Sequence, residues 1–395
     1  MVMPANIVHM LIAEEATRIL TSILKEKRNN LLGSYGNITS FLSNRNYVKF
    51  LKTGSILPDI PAYSLKYQKK KLIKDIFTKD TFKPIPIESI GYMMHSSPAD
   101  IALRMIQILT EDTVVYFKSY KPTGGEIQGY NMCSVGLWSL IFGVLSHIAA
   151  DQIIHPLINK YAGPYYASFS NAKRHMELEV LYDIKMYYKY FRELDKYKEY
   201  MAASNPFNNL FGAYCKDSFG SLFSRALIRA YGVNVKSEDC KDWMYDFFYI
   251  VKFSDLKISP YRKVIEKMKT NSELINFSKK HDFSKNYFCP AVELTVLYWL
   301  SLCKLVYKIL SYERAKKIKE SDIKKQLQKI EKIIKNYDLT IPLKTSTDII
   351  REVKNDLNKE FEWIRKSELL ARIDSEIKHL TNENKAGGCR QRHPP

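Results

Sequence analysis

The chain has 395 residues, 46% of them hydrophobic and 26% charged, with only 15 Gly and 15 Pro; this composition suits a globular protein that buries its own core and excludes fibrous and low-complexity classes. A formal net charge of +19, from 61 Lys and Arg against 42 Asp and Glu, favours anionic partners such as membrane surfaces or nucleic acid, although Lys scattered beside Asn, Ile and Tyr is also what a coding bias leaves. Cys133, Cys215, Cys240, Cys289, Cys303 and Cys389 form no CxxC and no paired spacing, which disfavours a disulfide framework or a thiolate zinc site and reads as reduced or buried thiols.

Helical periodicity dominates and alternating strand patterns are scarce, so the fold class is all-α. The spacing predicts a first helix over 6–28 and a second over 31–52, broken by Gly33, Gly36 and Asn37. The N-terminus lacks a basic n-region, a long apolar run and a cleavage site; the expected location is the cytoplasm, or outside the cell by a route that needs no such signal. GSILPDIPAY at 54–63 reads as an irregular loop presenting Asp59, because Pro58 and Pro61 remove donors and restrict their neighbours. After a basic stretch over 66–83, a helix starts near Pro98 and runs to about Leu109, with Ser96 or Ser97 placed to cap it and His95 just before its N-terminus.

Long helices follow over 134–160 and 171–200, then short ones between 201 and 290. From 291 the pattern gives long helices over 291–310, 312–337 and 347–383, the last after the break DLTIPLKTST. Ile318, Ile323, Leu327, Ile330 and Ile334 form one stripe among many lysines, the pattern of an amphipathic helix packed on something. The apolar stretches 135–145 and 294–302 fall short of the roughly 18 to 20 residues of a helical span and read as core helices, so the chain is not expected to be transmembrane. The expected organisation is a helical domain over 1–200, a connecting region over 201–290, a long-helix hairpin extension over 291–383 and a disordered tail over 384–395.

Of the 8 histidines, His9, His95, His147, His155 and His175 stand in suggestive contexts. In SHIAADQIIHP, His147, Asp151 and His155 are spaced four apart on an otherwise apolar helix. Each step of four advances about 40° around the axis, so the three share one side. Buried ionisable groups in a row need compensation, either from a hydrogen-bonded His/Asp network or from a metal. His175, Glu179 and Asp183 repeat the spacing on the next helix, which favours the metal, with Asp183 and Glu177 also explicable as ordinary surface charge. Imidazole and carboxylate without thiolate leave a bound zinc open to water and to a phosphate ester, so the set points to catalysis.

These pieces resemble the zinc-dependent phospholipases C, including the bacterial enzymes and the N-terminal domain of the glycosylphosphatidylinositol-specific phospholipase D. MPANIVHMLIA, SILPDIPAY, IGYMMHSSP, FGVLSHIAADQIIHPLIN and RHMELEVLYD resemble, in order, that family's first histidine, its aspartate loop, its next histidine, its H-x3-D-x3-H helix and its H-x3-E helix, over residues 3–185. The resemblance implies a helical bundle with two or three zinc ions. Asp59, His95, His147 and Asp151 would hold one; His155, His175 and Glu179 a second; His9 and a bridging Asp151 a third, which in secreted members also takes a processed N-terminal residue. Phospholipid is the implied substrate, cleaved on the glycerol side of the phosphate, with Asp59 or the metal centre deprotonating or orienting the water. Tyr63 and Tyr67 are candidate head-group aromatics against a background of simple packing. Two rival readings stand beside this one: a single-strand-specific zinc nuclease, although no groove for nucleic acid is legible and such a partner is not expected, and a non-catalytic helical protein. The Lys/Arg-rich run 314–335 could rest on an anionic membrane or a partner helix, or simply stay solvated.

Overall fold

A computed structural model of the chain describes residues 6–25, 38, 41–64, 86–119, 124–163, 168–191, 197–208, 210–252, 260–310, 312–337 and 345–385. The expected breakers Gly33, Gly36 and Asn37, the basic stretch 66–83, Tyr67, the break at 338–344, Cys389 and the tail 386–395 lie outside the described residues, as does the side chain of Tyr63.

The fold is all-α, with no strand among the described residues. The first part contains α1 (Ile7–Lys25), α2 (Arg45–Gly54), α3 (Pro86–Ser96), α4 (Pro98–Ser119), α5 (Gly124–Ala162), α6 (Phe169–Phe191) and α7 (Tyr197–Ala202). It continues through α8 (Leu210–Tyr231), α9 (Ser237–Val251), α10 (Pro260–Thr270), α11 (Ser272–Lys280), α12 (Cys289–Ile309), α13 (Glu320–Ile333), α14 (Ser346–Glu360) and α15 (Leu369–Lys385).

Two helices make the centre. α5 and α12 are apolar on all sides, as helices buried on every face must be, and they pack on each other with α1 laid against both. Trp299 on α12 is fully buried and donates its indole N–H to the Phe142 carbonyl of α5 at 2.7 Å. The helices beyond residue 289 therefore share one hydrophobic core with the first 200 residues. Along α13 and at its two ends the expected stripe faces this core: Ile318, Ile323, Ile330 and Ile334 are buried and Leu327 is partly so, while Lys324, Lys325 and Lys332 are exposed.

Both apolar stretches lie in helices longer than the stretches themselves. Cys133–Ala162 and Ser284–Ile309 are long and apolar enough to cross a membrane, yet 94% and 83% of their most apolar windows are buried inside the protein. They are core helices. Five cysteines, Cys133, Cys215, Cys240, Cys289 and Cys303, are buried and free.

Local departures from the expected elements have physical causes. Residues 57–63 are not an irregular loop but a 3-10 helix, Leu57–Tyr63. Pro58 sits in its first turn, where a missing N–H costs nothing, and the proline φ is compatible with 3-10 winding. α4 runs past Leu109 to Ser119, and His95 lies in the last turn of α3 as well as just before α4. Ser96 turns back to the Met93 carbonyl at 3.2 Å rather than forward. The region 201–290 contains the 22-residue α8 as well as shorter helices. The stretch 347–383 is split where Phe361 leaves helical geometry, with φ −121° and ψ 92°, to bury its ring. α15 reaches Lys385, with Asn384 buried and donating to Cys289 Sγ at 3.5 Å.

Candidate metal centre

Eight side chains from five elements meet in the core. His9 comes from α1, Asp59 from the 3-10 turn and His95 from the end of α3; α5 supplies His147, Asp151 and His155, and α6 supplies His175 and Glu179. Every one of the expected ligand positions is brought to this place. Asp183 is brought elsewhere. Its buried carboxylate accepts the backbone N–H of Asn6 at 2.8 Å, Ile7 at 3.0 Å and Val8 at 2.7 Å, so it satisfies the orphan donors at the start of α1. Glu177 is half-buried away from the cluster, paired with Lys267 of α10 and Arg174.

A close helix contact places the 3-10 turn against α5. A Cβ on Gly143 would fall 2.1 Å from the Leu51 carbonyl oxygen, and one on Gly54 would fall 2.0 Å from that of Leu140. Only glycine permits this approach. It brings the Ser55 carbonyl to His147 Nδ1 at 3.0 Å, one turn beyond Gly143.

Asp151 is the hub. His147 Nε2 lies 3.0 Å from its Oδ2, His95 Nε2 3.7 Å from the same oxygen, His155 Nε2 3.4 Å from Oδ1 and His9 Nε2 3.5 Å from Oδ1. Glu179 Oε1 is a second hub, 3.3 Å from His155 Nε2 and 3.0 Å from His175 Nε2. Asp59 Oδ1 lies 3.9 Å from His95 Nε2. The His9 and His147 rings stack with centroids 4.4 Å apart, and those of His95 and His155 at 5.4 Å.

The electrostatics are those of a buried cluster short of positive charge. Burial works to lower His147 and His155, yet Asp151 with Asp59 for His147, and Asp151 with Glu179 for His155, raise both to about 9. Burial wins for His9 and His95, which fall to about 3 and about 4. Asp59 rises to about 7, through burial first and then the neighbouring Asp151 and Glu179 charges. Burial also opposes ionisation of Asp151 and Glu179, but the facing imidazoles hold both well below the usual carboxylate range.

The tautomers show what would resolve this. With Nδ1–H donated to Ser55, the neutral form of His147 turns its Nε2 lone pair towards a carboxylate oxygen 3.0 Å away. With Nδ1–H donated to the Gly91 carbonyl at 2.7 Å, His95 Nε2 likewise faces two carboxylates. Lone pairs facing lone pairs need a proton or a metal ion between them, and a metal would take the place of the proton on His147. Zinc fits: with bonds of about 2.0–2.2 Å, the edges of its coordination tetrahedron are about 3.3–3.6 Å, close to the separations of 3.0–3.5 Å around Asp151 and Glu179. Four overlapping triads have mutually close donor atoms: His9, His147 and Asp151; Asp59, His95 and His147; His95, Asp151 and His155; His155, His175 and Glu179.

Fold and site together define a helical protein whose core gathers imidazole and carboxylate side chains in groups that could hold metal. The family model described as zinc-dependent phospholipase C matches residues 8–228, more than half of the chain, and the chain belongs to that family. No curated protein and no solved structure matches it. The carbonyls of Ser55 and Gly91 that orient two imidazoles, and the capping role of Asp183, carry no signal in the sequence, because each depends on tertiary placement.

Proposed function

We propose that the chain hydrolyses phospholipids on the glycerol side of the phosphate, with the eight clustered residues as ligands to two or three zinc ions. The observation that carries this is the buried imidazole–carboxylate cluster at ligand spacing, with no cysteine in it among the described residues. Zinc in such a site supplies Lewis acidity, lowering the pKa of water and neutralising the charge of a phosphodiester.

The chain's own residues do the rest. His95, Glu179 and Asp59 are the most exposed of the eight, at 16%, 11% and 10% of their side chains, so the phosphate approaches from their side. Asp59 takes a proton from, or orients, the attacking water. Without metal, burial and the nearby Asp151 and Glu179 charges raise its carboxyl; bound zinc would favour the ionised form that such a role requires. Asp151, held ionised by His147, His155 and His9 against the cost of burial, balances the charge of whatever the surrounding imidazoles bind. Water adds to phosphorus, the bond from phosphorus to the glycerol oxygen breaks, and that oxygen leaves with a proton as diacylglycerol. The phosphorylated head group remains. The exposed lysines of α13 add an attraction to anionic lipid.

Product analysis tests the reading. Phosphatidylcholine incubated with zinc-loaded protein should yield diacylglycerol and phosphocholine. Phosphatidic acid and free choline would place cleavage on the other side of phosphorus, and turnover of single-stranded DNA alone would move the chain to the nucleases.

A further inference from the structure

The family match ends at residue 228, yet two residues far beyond it touch both flanks of the metal centre. On one flank, the Asn336 side-chain oxygen accepts the Ala99 backbone N–H at 3.1 Å, and its amide donates to Asp100 Oδ1 at 3.3 Å. Asn336 therefore caps, from a distance, the start of α4, the helix that begins three residues after His95. On the other flank, the Lys335 carbonyl accepts the Gln152 side-chain amide at 2.8 Å. Gln152 is fully buried and follows Asp151 directly. Its oxygen accepts the Tyr298 hydroxyl of α12 at 2.6 Å, so both ends of the amide are satisfied by residues beyond the family match.

This short segment is itself held firmly. Lys335 Nζ pairs with Asp356 at 2.6 Å and Glu352 at 3.4 Å, and the Tyr337 hydroxyl donates to Glu352 at 3.1 Å, all on α14. α14 in turn packs on α12. We infer that Lys335 and Asn336 form a staple that fixes the start of α4 relative to α5, and so sets the separation of His95 from Asp151. His95 and Asp151 come from different elements and lie 3.7 Å apart; nothing in either helix alone sets that distance. Asn336, Gln152 and Tyr298 are on this view positioning residues, and the C-terminal helices are part of the metal centre's support.

The inference rests on the zinc reading above, and the test separates the two. Full-length Asn336→Ala and Tyr298→Phe are compared with wild type and with Asn355→Ala, an exposed substitution on α14. Zinc affinity is measured by competition with a chromogenic chelator, alongside thermal midpoints of the metal-free proteins. Both staple variants should bind zinc about tenfold more weakly or worse, the usual effect of losing outer support to a metal site, while Asn355→Ala binds as wild type does. Hydrolysis should fall in kcat with KM little changed. A segment that only completes the fold would lower the metal-free midpoint and leave zinc affinity at the wild-type value, and that result overturns the staple alone. Wild-type protein that takes up no zinc overturns the zinc reading and the staple with it.

Discussion

Asp183 accepts the backbone N–H of Val8 at 2.7 Å, one residue before His9. Asp183 stands one turn beyond Glu179 on α6, so a single carboxylate ties the helix carrying His9 to the helix carrying His175 and Glu179. It carries three backbone hydrogen bonds with no exposure. Asp183→Ala strands those donors in the core and should cost about 3 kcal/mol or more, read by denaturant unfolding. The milder Asp183→Asn should keep the fold but lose the zinc that depends on His9. Unchanged zinc content and unchanged stability in Asp183→Asn would contradict this role.

Zinc uptake should depend on pH in a defined direction. His147 and His155 sit at about 9 in the metal-free site, above the ordinary 6.5, so each holds a proton at neutral pH. That proton binding stabilises the metal-free fold fully below about pH 6.5 and is lost as pH rises through about 9. Zinc binds only neutral imidazole, so uptake releases these protons and affinity climbs from pH 6 towards 9, about tenfold per pH unit for each proton released. His9 and His95, at about 3 and about 4, are already neutral and add no release in this range. Calorimetry in buffers of different ionisation heat counts the protons. A flat affinity across this range would show that the two imidazoles are not displaced from their protons by metal.

Gly143→Ala tests how the 3-10 turn is seated. Its new Cβ would fall 2.1 Å from the Leu51 carbonyl oxygen, which is backbone and cannot swing aside. Helices α2 and α5 must separate, at a cost of about 1–3 kcal/mol. The Ser55 carbonyl then moves off His147 Nδ1, so thermal stability and zinc affinity should fall together. A variant with wild-type values for both would show that the close approach is dispensable.

A Lys→Glu series at Lys324, Lys325 and Lys332 addresses the membrane. These side chains are exposed on α13, and reversing them should weaken binding to anionic vesicles by about 1 kcal/mol per charge while leaving hydrolysis of a soluble ester unchanged. Vesicle binding that does not change across the series would remove α13 from the lipid interface.

Much of the centre is legible in the chain because helices convert spacing into geometry. His147, Asp151 and His155 share a face by virtue of steps of four, and polar groups at those steps stand out against apolar neighbours. His175 and Glu179 follow the same rule. Asp183, at the next step, obeys the spacing and serves another end, since its partners lie at residues 6–8 on another helix. Gln152 sits in the same apolar run as Asp151, but its partners at 298 and 335 are fixed only by tertiary packing. The 3-10 turn around Asp59 was hidden because its prolines read as breakers, although proline in a first turn is compatible with helical winding. The all-round apolar character of α12 marks it as buried, but that it is buried against α5 is a property of the folded chain.

The most direct test is the metal content of the purified full-length protein by elemental analysis, paired with hydrolysis of a phosphocholine ester before and after chelation. Two or three zinc ions per chain are expected, with turnover that is lost on chelation, returns when zinc is added back, and is absent in His147→Ala together with bound metal. A chain that holds no zinc after reconstitution, or that turns over equally well without it, would contradict the assignment of this buried cluster as a catalytic zinc centre.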